Sequence, residues 1–236
     1  MIRSLINYTV GFGACLGDPV RRRLLMAHHT RPVPHPADRK EALRAAVGYL
    51  IRAQDQGPDK GMGSYHLVHG WSPSYPETTG YIIPTLLAAA DHLQWDEPRT
   101  RAIQAADWLL SIQHADGGWQ GGRIGEGRDP VVFNTAQVIR GLLAVHDATG
   151  RAEFLSACTR AGEWILGSQS RDGAWRKENF LGSARVYDTY VSAPILRLHR
   201  ITGEERYKKA AMMNLEWVLA QQWANGWFSN ADNTTK

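Results

Sequence analysis

Three short segments set carboxylate, amide and phenol groups in matching surroundings: Tyr75-Pro76-Glu77-Thr78-Thr79-Gly80-Tyr81, Phe133-Asn134-Thr135 and Tyr187-Asp188-Thr189-Tyr190. Each heads a stretch rich in apolar and small residues. Aligning them puts Glu77, Asn134 and Asp188 at equivalent places, with Tyr187 taking the place of Asp188 if the register shifts by one. Two carboxylates from different segments facing one cavity, Glu77 and Asp188, could divide acid and base roles in glycosidic chemistry. A single tyrosine with a carboxylate would suit epimerisation or β-elimination of a uronate, with an arginine neutralising the acidic sugar. Trp71, Tyr75, Tyr81, Tyr187 and Tyr190 supply faces on which a sugar ring or a prenyl chain could lie, and Asn134 an amide for orientation. Arg140 interrupts an otherwise apolar segment; a buried arginine there needs an anionic partner, either an internal acid or a substrate carboxylate. The catalytic candidates are therefore Glu77, Asp188 and Tyr187, and the substrate-binding candidates Trp71, Tyr75, Tyr81, Asn134, Arg140 and Tyr190. The competing reading of each acid is a first-turn carboxylate favoured by the helix dipole.

The elements that must hold these residues repeat. Ala106-Asp107-Trp108-Leu109-Leu110-Ser111-Ile112-Gln113 leads to Asp116-Gly117-Gly118-Trp119, and Gly162-Glu163-Trp164-Ile165-Leu166-Gly167-Ser168-Gln169 leads to Asp172-Gly173-Ala174-Trp175. Leu215 to Gln221 with Asn225-Gly226-Trp227 forms a third copy, and Gly48 to Gln54 a weaker first one. The glutamines stand 59, 56 and 52 residues apart. Apolar residues at i, i+3 and i+4 before each glutamine describe an amphipathic helix. The Asp/Asn-Gly that follows supplies a left-handed stop, and the tryptophan is large enough to fold back over the helix end. Between these copies lie more apolar helices, roughly 77–92, 133–149 and 187–202, whose composition predicts burial. Each unit thus pairs an amphipathic outer helix with a buried inner one. Links from inner to outer helix are short and those from outer to inner long, so the long loops gather on one rim, where the inner helices begin and where ligands normally sit.

The predicted fold is all-α: an α/α toroid of helical hairpins, (α/α)6-barrel-like, incomplete at about four outer and three inner helices. Residues 1–36 are expected to form a lead-in segment and Pro-rich linker, with three prolines between Thr30 and Pro36. Residues 37–236 are expected to form the toroid, shortened at its C-terminal end, so that missing repeats or a partner chain would complete it. A net charge of +4 with scattered lysine and arginine is too weak for a nucleic-acid binder. No run of eighteen apolar residues spans a membrane. Cys15 and Cys158 make no disulfide framework, and neither a CxxC nor an HExxH pattern occurs, so no metal and no cofactor are expected. The basic cluster Arg21-Arg22-Arg23 follows the apolar N-terminal stretch instead of preceding it, which argues against a signal peptide and for a cytoplasmic protein.

Gln113/Gly117/Trp119 and Gln169/Gly173/Trp175, with Gln221/Gly226/Trp227 as a looser copy, resemble the QW motif of squalene-hopene and related terpenoid cyclases over roughly residues 38–228. That resemblance implies an α/α toroid. Neither the DxDD acid motif nor the DDxxD diphosphate motif of those enzymes is present, and the Asp/Cys/His zinc set of protein prenyltransferases, which look similar too, is not evident. The Tyr75–Tyr81, Phe133–Thr135 and Tyr187–Thr189 segments look like bacterial repeat proteins associated with exopolysaccharide production and, distantly, like the unsaturated glucuronyl hydrolases. This second resemblance implies a carbohydrate cleft at the toroid mouth. The expected ligand is an oligo- or polysaccharide bearing uronates, acted on as a hydrolase, lyase or epimerase would. The alternatives are a terpenoid-cyclase- or prenyltransferase-like enzyme and a non-catalytic repeat protein that binds through its surface.

Overall fold

A computed structural model describes residues 2–30, 38–179 and 182–231. They form two compact units, divided between Ser74 and Tyr75. The expected linker at 31–36 lies outside the described residues.

The first unit holds α1 (Ile2–Gly17), α2 (Pro19–Thr30), α3 (Arg39–Asp55) and a two-stranded ribbon, β1 (Tyr65–His66) and β2 (Gly70–Trp71). Asp38 caps α3 by accepting from the Lys40 amide. Gln54 at its end is buried and donates from Nε2 to the Lys60 carbonyl at 2.8 Å, the same use of a terminal glutamine that the second unit repeats.

The second unit is a run of antiparallel hairpins: α4 (Pro76–Leu93) with α5 (Glu97–Ser111), α6 (Val132–Thr149) with α7 (Ala152–Ser168), and α8 (Thr189–Thr202) with α9 (Glu205–Leu219). The inner helices pack side by side, α4 on α6 and α6 on α8. Their short links turn through left-handed residues, Gln94 at φ 50°, Gly150 at 72° and Gly203 at 76°. Backbones of α4 and α6 meet at paired glycines. A Cβ on Gly80 would lie 2.5 Å from the Gln137 carbonyl oxygen, and one on Gly141 2.7 Å from the Gly80 carbonyl oxygen. The architecture is the expected all-α, α/α-toroid type.

The glutamine-glycine-tryptophan copies hold the outer helices together. Trp119 and Trp175 are fully buried, each donating from the indole back into its own helix, to the Leu109 carbonyl at 2.8 Å and the Ile165 carbonyl at 3.1 Å. Each glutamine amide bonds twice. Gln113 donates to Gly117 and to Ala157 of α7; Gln169 donates to Gly173 and to Ala210 of α9. The loop glycines are obligatory: Gly117 and Gly173 sit at φ 103° and 91°, and a Cβ on either would meet a carbonyl of the next outer helix at 2.6 or 2.2 Å.

The last copy is displaced by one residue from its expected register. The turn hydrogen bonds His114 to Gly118, Ser170 to Ala174 and Trp223 to Trp227 make Gln222 and Phe228 the equivalents of Gln169 and Trp175. Gln222, not Gln221, reaches the loop glycine, Gly226, at 3.3 Å. Trp227, read from sequence as the motif tryptophan, is 65% exposed. Acids beside the helix tryptophans tie neighbouring hairpins together, Asp107 to Arg151 at 2.7 Å and Glu163 to Tyr207 at 2.6 Å.

Trp175→Ala should therefore lower unfolding stability by about 3–5 kcal/mol, the usual cost of removing a buried tryptophan. Trp227→Ala should change it by less than about 0.5 kcal/mol, as for an ordinary surface substitution. Urea unfolding of the two variants measures the difference, and equal losses would refute the register.

Candidate functional site

The long loops of the second unit meet the starts of α4 and α6 around a cleft of about 380 Å³. Pro76 occupies the first turn of α4, where its missing N–H costs nothing. The preceding Tyr75 is extended and accepts at its carbonyl from the Thr79 hydroxyl at 2.9 Å, which fixes how the chain enters the helix. Glu77 follows in the first turn, and its side chain lines the cleft with those of Tyr75, Phe133, Asn134 and Tyr187. Asn134 Nδ2 donates to the Tyr75 hydroxyl oxygen at 3.1 Å. Burial pushes the Glu77 carboxyl above its ordinary value, partly opposed by the neighbouring Tyr75 hydroxyl. Burial raises the Tyr75 phenol as well, with the Glu77 charge adding to it, so Tyr75 holds its proton. The two groups form a carboxylate-phenol pair at the mouth.

One wall comes from the loop between α5 and α6. Gln120 bridges to Pro130, and the Gly121 amide donates to the Asp129 carbonyl at 2.9 Å, so residues 120–130 form a narrow ribbon. Arg128 is held to Glu126 at 2.7 Å. Gly122 stands at φ 72°, where a Cβ would fall 2.4 Å from Glu126 Oε2. Phe133 is the hub of an aromatic row: its ring lies 5.6 Å from Tyr187, 6.5 Å from Tyr190 and 6.5 Å from Tyr81. Burial raises the Tyr81 phenol to about 12, and the Glu77 charge adds to it while Arg140 opposes it.

Two sequence expectations, the facing of Asp188 and the burial of Arg140, are corrected. Glu77, Phe133, Asn134 and Tyr187 line the cleft from the three inner-helix starts, with Tyr187 in the place expected for Asp188. Asp188 does not face the cleft. It is buried beneath the loop after α7, where its Oδ2 accepts from Asn179 Nδ2 at 2.6 Å and from the Arg185 amide at 3.2 Å. Arg140 is not buried but exposed, its guanidinium 5.8 Å from the centre of the Tyr81 ring. Trp71 belongs to the first unit, where it stacks on Tyr49 at 5.9 Å and meets Tyr65 edge-on. The cleft also uses Gly121, Gly122, Arg128 and Val131, which had not been singled out, and Phe133, which had been named only as part of its segment. The run Gly121-Gly122 … Gly125 … Gly127, closed by Asp129-Pro130, is the signal that marks that loop. Among the described residues no group of three or more His, Cys, Asp or Glu side chains is arranged to hold a metal ion, and no helix is long and apolar enough to cross a membrane.

Fold and site together define an α/α-toroid protein with an acid-phenol cleft at the mouth of its inner helices. The profile of the squalene-hopene cyclase C-terminal domain matches residues 25–183, and the chain belongs to that family. Squalene-hopene cyclase of Zymomonas mobilis is 30% identical over 152 residues, which is 59% of this chain and 20% of that protein. Dammaradiene synthase of Dryopteris crassirhizoma is 24% identical over 170 residues, 64% of this chain and 23% of that protein. The chain thus spans about a fifth of the length of the curated relatives it matches. Among solved structures, a possible member of the GH105 family from Salmonella enterica superposes with a TM-score of 0.67 at 14% identity, covering 92% of this chain and 62% of that one. A family 88 glycosyl hydrolase from Bacteroides vulgatus gives 0.56 at 11% identity, covering 75% and 56%. These two likenesses establish the fold.

Burial is the largest influence on Asp188 and lifts its carboxyl from 3.8 to about 7 against the opposing Asn179 and Arg185. Since the folded-state value lies above the unfolded one, the protonated acid favours the fold. That contribution is complete below pH about 4 and is lost as pH rises through about 7. Melting temperatures of wild type and Asp188→Asn between pH 5 and 8 should diverge with rising pH, the variant gaining relative to wild type; parallel curves would show that Asp188 is ionised throughout.

Proposed function

We propose that the second unit acts on an acidic, uronate-containing oligo- or polysaccharide by moving a proton at the carbon next to the sugar carboxylate, as a lyase or epimerase does, with bacterial exopolysaccharide metabolism as its setting. The observation that carries this reading is the Glu77–Tyr75–Asn134 constellation in the cleft. Hydrolysis by paired carboxylates needs two acids facing one sugar, and Asp188 lies elsewhere. A single half-buried carboxylate beside a protonated phenol suits β-elimination. Glu77 takes the C5 proton, the C4=C5 bond forms, the C4–O4 bond breaks, and Tyr75 gives its proton to the departing O4. A base whose pKa is raised towards the working pH is better matched to that transfer. Asn134 orients the phenol, Arg128 stands at the rim to offset the sugar carboxylate, and Phe133 and Tyr187 offer faces for the ring. The fold shared with a family 88 glycosyl hydrolase and a possible member of the GH105 family supports a saccharide ligand.

Membership in the cyclase family, with the Tyr81–Phe133–Tyr187–Tyr190 row, favours a second reading. Aromatic faces stabilise developing cations, and Glu77 in its protonated form would donate to an alkene of a prenyl chain.

The distinguishing experiment incubates the protein with polyuronates and with linear prenyl substrates and follows, respectively, the absorbance of the new conjugated double bond and cyclised products by mass spectrometry. Unsaturated uronate from wild type, reduced about 100-fold or more in Glu77→Gln with the melting temperature retained, is the expected result. The rate should climb with pH as Glu77 deprotonates, with its midpoint above the ordinary carboxylate range. Cyclised prenyl product without uronate turnover would replace the reading by the second, and no turnover of either would leave a binding protein.

A further inference from the structure

A second pocket of about 350 Å³ lies farther along the inner helices, away from the cleft, and is lined by Gln137 and Arg140 of α6 and by Tyr190, Ala193, Pro194 and Arg197 of α8. Two donors there lack a natural acceptor. The Arg140 guanidinium has no ion-pair partner among the described residues and lies 5.8 Å from the centre of the Tyr81 ring. One turn earlier on the same helix, the buried Gln137 amide nitrogen has no hydrogen-bond partner among the described residues. A buried donor left unmade is costly, and a fixed guanidinium fork matches a carboxylate geometrically. Arg197, by contrast, is already committed to Asp147. The pocket therefore carries one unspent positive charge, the complement of a single carboxylate; a diphosphate would call for more.

The remaining lining suits a sugar. Pro194 has no N–H, so the Tyr190 carbonyl, four residues back, loses its usual helical donor and is left able to accept from a hydroxyl. Tyr190 is 58% exposed and presents its ring. The aromatic row joins the two sites, because Phe133 touches Tyr187 at the cleft and Tyr190 at this pocket, while Tyr81 lies between Phe133 and Arg140.

We infer that the Gln137–Arg140–Tyr190 pocket is a second subsite that binds the carboxylate of a neighbouring uronate, so that the ligand is an oligo-uronate with acidic units at both the cleft and this pocket. The inference rests on the saccharide reading of the cleft and adds to it a requirement for a second acidic unit. Arg140 is then a binding residue that sets chain length and charge specificity, outside the proton transfer.

Calorimetric titration of the intact chain with D-galacturonate, trigalacturonate and its methyl ester tests this, using wild type, Glu77→Gln, Arg140→Gln and Arg140→Lys. Trigalacturonate should bind Glu77→Gln, which by the proposed reaction does not convert it, and should do so more weakly as salt rises. Arg140→Gln should weaken it about 10-fold or more, Arg140→Lys by less, and binding of the methyl ester should be indifferent to both Arg140 substitutions. Trigalacturonate bound equally by wild type and Arg140→Gln would overturn the subsite while leaving the cleft reading in place. No uronate bound by wild type would overturn both. Tighter binding of inorganic pyrophosphate, lost in Arg140→Gln, would keep the anion site but overturn its assignment to a carboxylate.

Discussion

Everything in the second unit hangs on how an outer helix ends. An α-helix leaves its last carbonyls without donors, and here a tryptophan indole and a glutamine amide supply them. The indoles of Trp119 and Trp175 return to their own helices, while Gln113 and Gln169 each reach across to the next outer helix. One loop therefore closes a helix and sets the position of its neighbour. The glycines at Gly117 and Gly173 make this geometry accessible, since only a residue without a Cβ fits both the positive φ and the close approach of the neighbouring carbonyl.

That constraint propagates to the site. With outer helices fixed at their C-terminal ends, the long loops that follow must return over the same rim to start the inner helices. Buried polar bonds steer the return: the Trp119 amide donates to the Thr135 hydroxyl at 3.0 Å, and the Val132 amide to the Glu178 carbonyl at 2.8 Å. Glu77, Phe133 and Tyr187 arrive at one cleft because each occupies the same station on an equivalent return path. The two acids at the rim then take opposite parts. Glu77 faces a cavity and stays available; Asp188, one residue past the lining position, turns inward to bind Asn179 and the Arg185 amide.

The family and the structural likenesses share one architecture. A toroid of hairpins provides a concave inner face and a rim of loops, and the chemistry depends on the few side chains placed there. In this chain they are one half-buried carboxylate, its phenol partner, an aromatic row and an unpaired guanidinium. The proposed chemistry follows from those groups and from their charge balance.

The helices, their pairing and the rim of long loops were legible in the sequence because they follow from local rules: a period of 3.6, Asp/Asn-Gly stops, and a recurring glutamine and tryptophan. Glu77 was legible too, as a first-turn acid behind Tyr75-Pro76. The register of the last copy was not, since Trp227 and Phe228 are adjacent and either could follow Gly226; the turn hydrogen bond from Trp223 to Trp227 decides it. Nor could sequence tell that Arg140 lies on the open face of its helix or that Asp188 turns inward. An apolar composition says that a helix is mostly covered, but which side stays uncovered depends on where its neighbours pack. A one-residue step on a helix turns a side chain by about 100°, enough to move a carboxylate from a cleft into the interior, and only the tertiary packing of loop and helix fixes that step.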